Sequence, residues 1–162
     1  MAPPTGAGIP TVTRHGCHPL MDFAIDQEVF DNTGLVLEAV AERYTDDLMA
    51  RFARSPEGSA VLKQCDRFGW AALIIDLGMR HRAVNVARMH RTDLDQILFE
   101  VLPREFHARP EEAPEIVKEL RAFWRFVQRE FEPLFAEDCL KLLERSDLAA
   151  ALRRKLAKSA PG

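Results

Sequence analysis

Cysteine is scarce in this sequence and never paired: Cys17, Cys65 and Cys139 are an odd number, far apart, with no Cys-x-x-Cys spacing. This argues against a disulfide framework and fits a reducing, cytoplasmic compartment, where a thiol in a helical apolar pattern behaves as a small core residue. Long uncharged apolar runs are also missing, so no helix is expected to span a bilayer. The first twenty residues lack the basic start and apolar stretch of a secretory signal and hold four prolines and three glycines instead. Residues 1–20 therefore read as a flexible N-terminal arm, and 21–162 as a single domain.

Strand signals are nearly absent, with no clean period-two run bounded by turn residues, and there is no internal repeat. The signatures of common chemistries are absent too. There is no His-Glu-x-x-His, no Glu-x-x-His repeat for a carboxylate-bridged metal pair, no phosphate-cradling Gly-x-x-x-x-Gly-Lys-Ser/Thr, no Gly-x-Gly-x-x-Gly and no Gly-x-Ser-x-Gly. No cofactor and no metal centre is expected. His15, Cys17 and His18 are ligand-capable, but they sit in the arm, without the folded four-ligand frame that zinc requires.

What the chain does contain is helical periodicity. At 162 residues with 47% hydrophobic and 29% charged composition it suits one globular domain. Apolar residues recur at i, i+3, i+4 and i+7 from residue 35 onward, which predicts an all-α, single-domain bundle of about six or seven helices. Pro19 to Phe30 is either a short helix or an extended segment packed on the bundle. The first long helix is expected over 34–53, with Val36, Val40, Tyr44, Leu48 and Phe52 in one stripe.

Ser55 is an N-cap for a short second helix that opens on Pro56. The third helix starts at Gly69-Trp70 and carries Trp70, Leu73, Ile74, Leu77 and His81 at helical spacing, apolar enough to be central. The fourth is expected from a Thr92 cap, with Asp95 three residues on, to a stop at Pro103. The fifth, 114–131, has one broad apolar face of Val117, Leu120, Phe123, Trp124, Val127 and Phe131. A sixth runs to about Arg145, and Ser146 caps a seventh bearing Leu148, Leu152 and Leu156.

Two sequence stretches carry a resemblance. SPEG with GWAALIIDLG (55–58, 69–78) and LPREF with ELRAFWRFVQREF (102–106, 119–131) resemble segments of an uncharacterised group of small helical bacterial proteins, over roughly residues 40 to 158. The resemblance implies a bacterial, intracellular, all-helical protein. It brings no activity and no site residues with it.

Charge is more informative in layout than in sum, which is -3. Residues 1–79 hold eleven acidic and six basic side chains, and residues 80–162 fourteen and sixteen. The stretch RHRAVNVARMHR contains Arg80, Arg82, Arg88 and Arg91 with no acid between Asp76 and Asp93, so it is a candidate anion or nucleic-acid segment. Its plainer reading is a solvated loop whose arginines pair with the acidic first half. Arg121, Arg125 and Arg129 form a basic ridge on the fifth helix, with Glu119 and Glu130 beside it on an exposed face.

Trp70, His81 and Trp124 are candidates for a ligand pocket, His81 as an acid or base, against the plainer reading of core tryptophans and a histidine at a wet helix end. Phe126 and Phe106 become candidates for partner packing if exposed. The reading favoured by the sequence is a non-enzymatic module that contacts a protein partner or a second copy of itself. Nucleic acid is the alternative and a small-molecule binder or enzyme the second; no membrane partner is expected.

Overall fold

The computed structural model describes residues 23–65 and 68–160. Among these residues there are seven helices and no strand beyond an isolated bridge between Phe30 and Val36. They are α1 (Glu38–Arg54), α2 (Pro56–Leu62), α3 (Trp70–Arg82), α4 (91–105), α5 (Ala113–Phe131), α6 (Ala136–Leu143) and α7 (Leu148–Ser159). The arm over 1–20, with His15, Cys17 and His18, lies outside the described residues.

The segment before α1 is extended and turned rather than helical. Asp31 explains why α1 begins at Glu38 and not at residue 34. Its carboxylate accepts the amides of Thr33 (2.8 Å) and Leu35 (3.0 Å), holding a turn in place of the first helical bonds. The Leu37 amide then bonds Val29 O at 2.9 Å, and the segment lies on the bundle with Val29 buried. Tyr44 fixes it further, donating to Ile25 O (2.8 Å) and accepting from the Val86 amide (3.2 Å).

Ser55 caps α2 as its residue type predicts, accepting the Gly58 amide at 3.0 Å. Gly58 is required for packing: a Cβ there would stand 1.9 Å from Phe52 O, so α1 and α2 could not approach so closely. Pro103 does not end α4. An α segment (Arg91–Gln96) passes into a π-helical stretch (Ile97–Val101) and a last α turn, Leu102–Glu105. The shifted hydrogen-bond register ahead of Pro103 accommodates a residue that has no amide to give.

The α4 cap also lies earlier than Thr92: Asp93 turns back to accept the His90 amide at 3.0 Å. Ser146 does not cap α7; Asp147 precedes the helix and its carboxylate is held by Arg145 at 2.7 Å.

The hub is α5, which packs on α2, α3, α6 and α7, whereas α3 packs on α1, α4 and α5. Its inner residues Leu120, Phe123, Trp124 and Val127 are fully buried, and Phe123 and Phe126 meet Phe52 at ring-centroid distances of 5.3 and 5.6 Å. Each such burial stabilises the fold by roughly 1.5–3 kcal/mol. No helix among the described residues is long and apolar enough to cross a membrane.

Candidate functional site

The N-terminus of α3 is where the Trp70 pocket would begin. Gly69 there has φ of +140°, a backbone that side chains disfavour, and offers no capping side chain. The cap arrives from α5 instead: Glu119 accepts the Gly69 amide at 3.1 Å and the Ala71 amide at 2.9 Å. Glu119 is 1% exposed, so it does not belong to the open face expected beside the arginine ridge. Burial raises its pKa, and the amides of Ala71, Gly69 and Trp70 oppose that shift. The carboxylate also faces the positive end of the α3 dipole.

Trp70 and Trp124 are both buried, while His81 stands exposed in the last turn of α3. None of the three lines the four surface concavities described below. The proposed pocket is therefore not assembled there: the tryptophans fill core, Trp124 bonding the Cys139 thiol and Trp70 meeting Phe106 edge-on at 5.9 Å. Cys139 is buried, donates to Met89 O at 3.3 Å, and has its thiol pKa pushed up to about 12 by burial. A thiol so protonated is a packing group, not a nucleophile.

The segment carrying Arg80, Arg82, Arg88 and Arg91 is a tethered loop with one short helical turn, Val86–Arg88. Val86 and Met89 are buried, and Asn85 donates to Gln27 O at 3.1 Å. Arg80 makes a two-pronged bond to Glu38 (2.9 and 2.8 Å) and a third to Asp76 (2.9 Å). Arg82 pairs with Asp93 at 3.0 Å. Arg88 and Arg91 remain exposed, and His90 stacks on Phe135 with ring centroids 3.7 Å apart.

On α5, Arg121 donates to the carbonyls of Leu143 and Arg145, capping the end of α6 from outside. Arg125 approaches Glu144 at 3.6 Å, and Arg129 grips Glu57 at 2.6 and 2.9 Å. Two open concavities border this ridge. One, of about 310 Å³, lies between α2 and α5 and is lined by Lys118, Arg121 and Arg125 against Glu57. The other, of about 330 Å³, has Arg51, Arg54 and Arg129 against Glu130.

Arg80 lines a different cleft, of about 250 Å³ between α1 and α3, with Glu38, Glu42, Asp46 and Asp76. The two basic runs of the sequence thus share none of these concavities. The fourth, about 190 Å³, is an apolar notch between Pro103, Phe106 and Leu156.

Phe126 is 2% exposed and drops out as a partner contact, whereas Phe106 is half exposed. Among the described residues the most open large apolar side chains are Leu35 and Leu134, exposed 67% and 84%, ahead of Leu37 and Leu62. Their signal was local: each follows a turn residue, Gly34 or Pro133, outside any helical stripe. Among the described residues no group of three or more His, Cys, Asp or Glu side chains is placed to hold a metal ion. Comparison with protein-family models, curated proteins and solved structures finds no match to the chain.

Proposed function

We propose that the chain is a non-enzymatic helical module of the bacterial cytoplasm that acts by protein–protein contact, self-association included. The observation that carries this reading is the pair of open leucines, Leu35 just before α1 and Leu134 between α5 and α6, each on an ordered connection. Phe131, three residues before Leu134, packs on Phe23 at 5.7 Å, and Phe135 stacks on His90. Leu35 belongs to the same Phe23-to-Leu37 segment, which Tyr44 joins to the Val86 loop. Large apolar side chains held open by an ordered frame suit a partner surface.

The cytoplasmic placement rests on the sequence, whose three cysteines are odd in number, widely spaced and without a Cys-x-x-Cys pair. The anion reading is weaker because Arg80, Arg82 and Arg129 hold carboxylates of the chain itself. The enzyme reading is weaker because His81 is exposed in the last turn of α3 while Trp70 and Trp124 are buried in the core.

A photo-crosslinking residue placed at position 134 in living cells tests the proposal, with exposed Glu111 as the control site. Adducts of higher mass at 134 and not at 111 are expected. Equal, background-level yields at both positions would reject it.

A further inference from the structure

We infer that the acidic ridge of α1 docks on the arginine ridge of α5 in a second copy of this chain. It rests on the reading of self-association above: a crosslink at position 134 reports any protein neighbour, whereas the charge variants below report this contact alone.

The two ridges match in length and spacing. Glu38, Glu42 and Asp46 stand at i, i+4 and i+8 on α1, and Arg121, Arg125 and Arg129 stand at i, i+4 and i+8 on α5. At 1.5 Å rise per residue each set of three covers about 12 Å in about 6 Å steps. Laid against each other, two such helices bring three carboxylates opposite three arginines in one register, where Arg125 and Arg129 also hold Glu144 and Glu57 of their own chain and Arg121 holds the end of α6. Each ridge also edges a shallow open cleft of its own sign. Asp76 joins the acids, with Arg80 as the opposing cation there; Lys118 extends the arginines, with Glu57 as the opposing acid.

Within one chain the ridges cannot satisfy each other. The acidic cleft is walled by α1 and α3, the basic one by α2 and α5, and they have no residue in common. Inside the chain Glu38 turns to Arg80, and Arg129 to Glu57. These internal bonds fix the outer side chains of both ridges in place, which lowers the ordering cost of a contact. Single exposed ion pairs contribute little, but a complementary array steers the encounter and sets its register. Because the two surfaces differ, the contact is heterologous unless both pair reciprocally about a two-fold axis.

The test is sedimentation velocity over a concentration series at low and high salt, on the full chain. Three variants are compared with the parent: Glu42→Lys with Asp46→Lys, Lys118→Glu with Arg125→Glu, and all four changes together. The four positions lie on the surface, and circular dichroism verifies that each variant is folded. The fourfold variant keeps the net charge of the parent and exchanges the sign of two charges beside each cleft, leaving Arg121 and Arg129 unchanged because they hold the end of α6 and Glu57.

The parent is expected to self-associate at low salt and to dissociate at high salt, as screening shortens the reach of exposed charges. Each double variant should weaken association by about tenfold or more, and the fourfold exchange should recover part of that loss. A parent that stays monomeric at low salt overturns the inference. So do double variants that associate like the parent, or a fourfold exchange that recovers nothing of what they lose.

Discussion

The inner and outer faces of α5 carry charge under opposite conditions. Inside, Glu119 is sealed beneath α3 with its oxygens turned to backbone amides, and its effect stays within the chain. Outside, Lys118, Arg121, Arg125 and Arg129 edge open concavities, and only part of their hydrogen-bonding capacity is met internally. The contrast separates two uses of ionisable side chains in one helix. Buried groups here complete the ends of neighbouring helices, while exposed groups leave charge available to another surface.

Removing the inner group should give the largest effect. Glu119→Ala leaves the amides of Gly69, Trp70 and Ala71 without their acceptor in a buried site. It should lower unfolding stability by about 2–3 kcal/mol in urea titrations. Glu119→Gln keeps a carbonyl acceptor and should lose less.

The pH profile sharpens the same point. Burial raises the Glu119 pKa above its unfolded value, so its contribution is fully present below the unfolded pKa and is lost as pH rises through the folded one. The stability of the parent relative to Glu119→Gln should therefore decline as pH rises through the acidic range. A flat difference between the two profiles would count against this account.

Arg121 stands between the two faces, since it lies on the outer ridge yet caps α6. Arg121→Ala should cost about 1 kcal/mol, measured as a shift in the urea midpoint at constant slope. At the exposed extreme, Leu134→Asp should leave stability within about 0.5 kcal/mol of the parent. A larger loss would mean that Leu134 supports the fold instead of waiting for a partner.

How much of this was legible in the sequence depended on whether the deciding interaction was local. The broad stripe of α5 and the Ser55-Pro56 start are written within a few residues, and both formed as read. The α4 cap and its passage through Pro103 were not legible, because two acids compete for the cap and a proline breaks a helix only if the hydrogen-bond register demands its amide. Glu119 did leave a trace. It lies three residues after Ile116 and four before Phe123, at a core position where an acid needs a buried partner.

The candidate site was harder to read, because position on a helix does not reveal what lies opposite. His81 shares the α3 stripe with Ile74 and Leu77, yet α3 ends at Arg82 and its last turn emerges into solvent. Likewise the arginines of 80–91 looked alike in sequence. Arg80 and Arg82 reach carboxylates from α1 and α4, and that division depends on which helices pack together.

The central claim is that the open faces of this bundle are occupied in the cell while its buried polar groups serve the fold. Side-chain oxidation footprinting tests it directly, comparing the dilute purified chain with the chain inside intact cells. Protection of Leu35 and Leu134 in cells, with Trp70 and Cys139 equally shielded in both settings, is the result predicted. Equal labelling of the two leucines in both settings would contradict it.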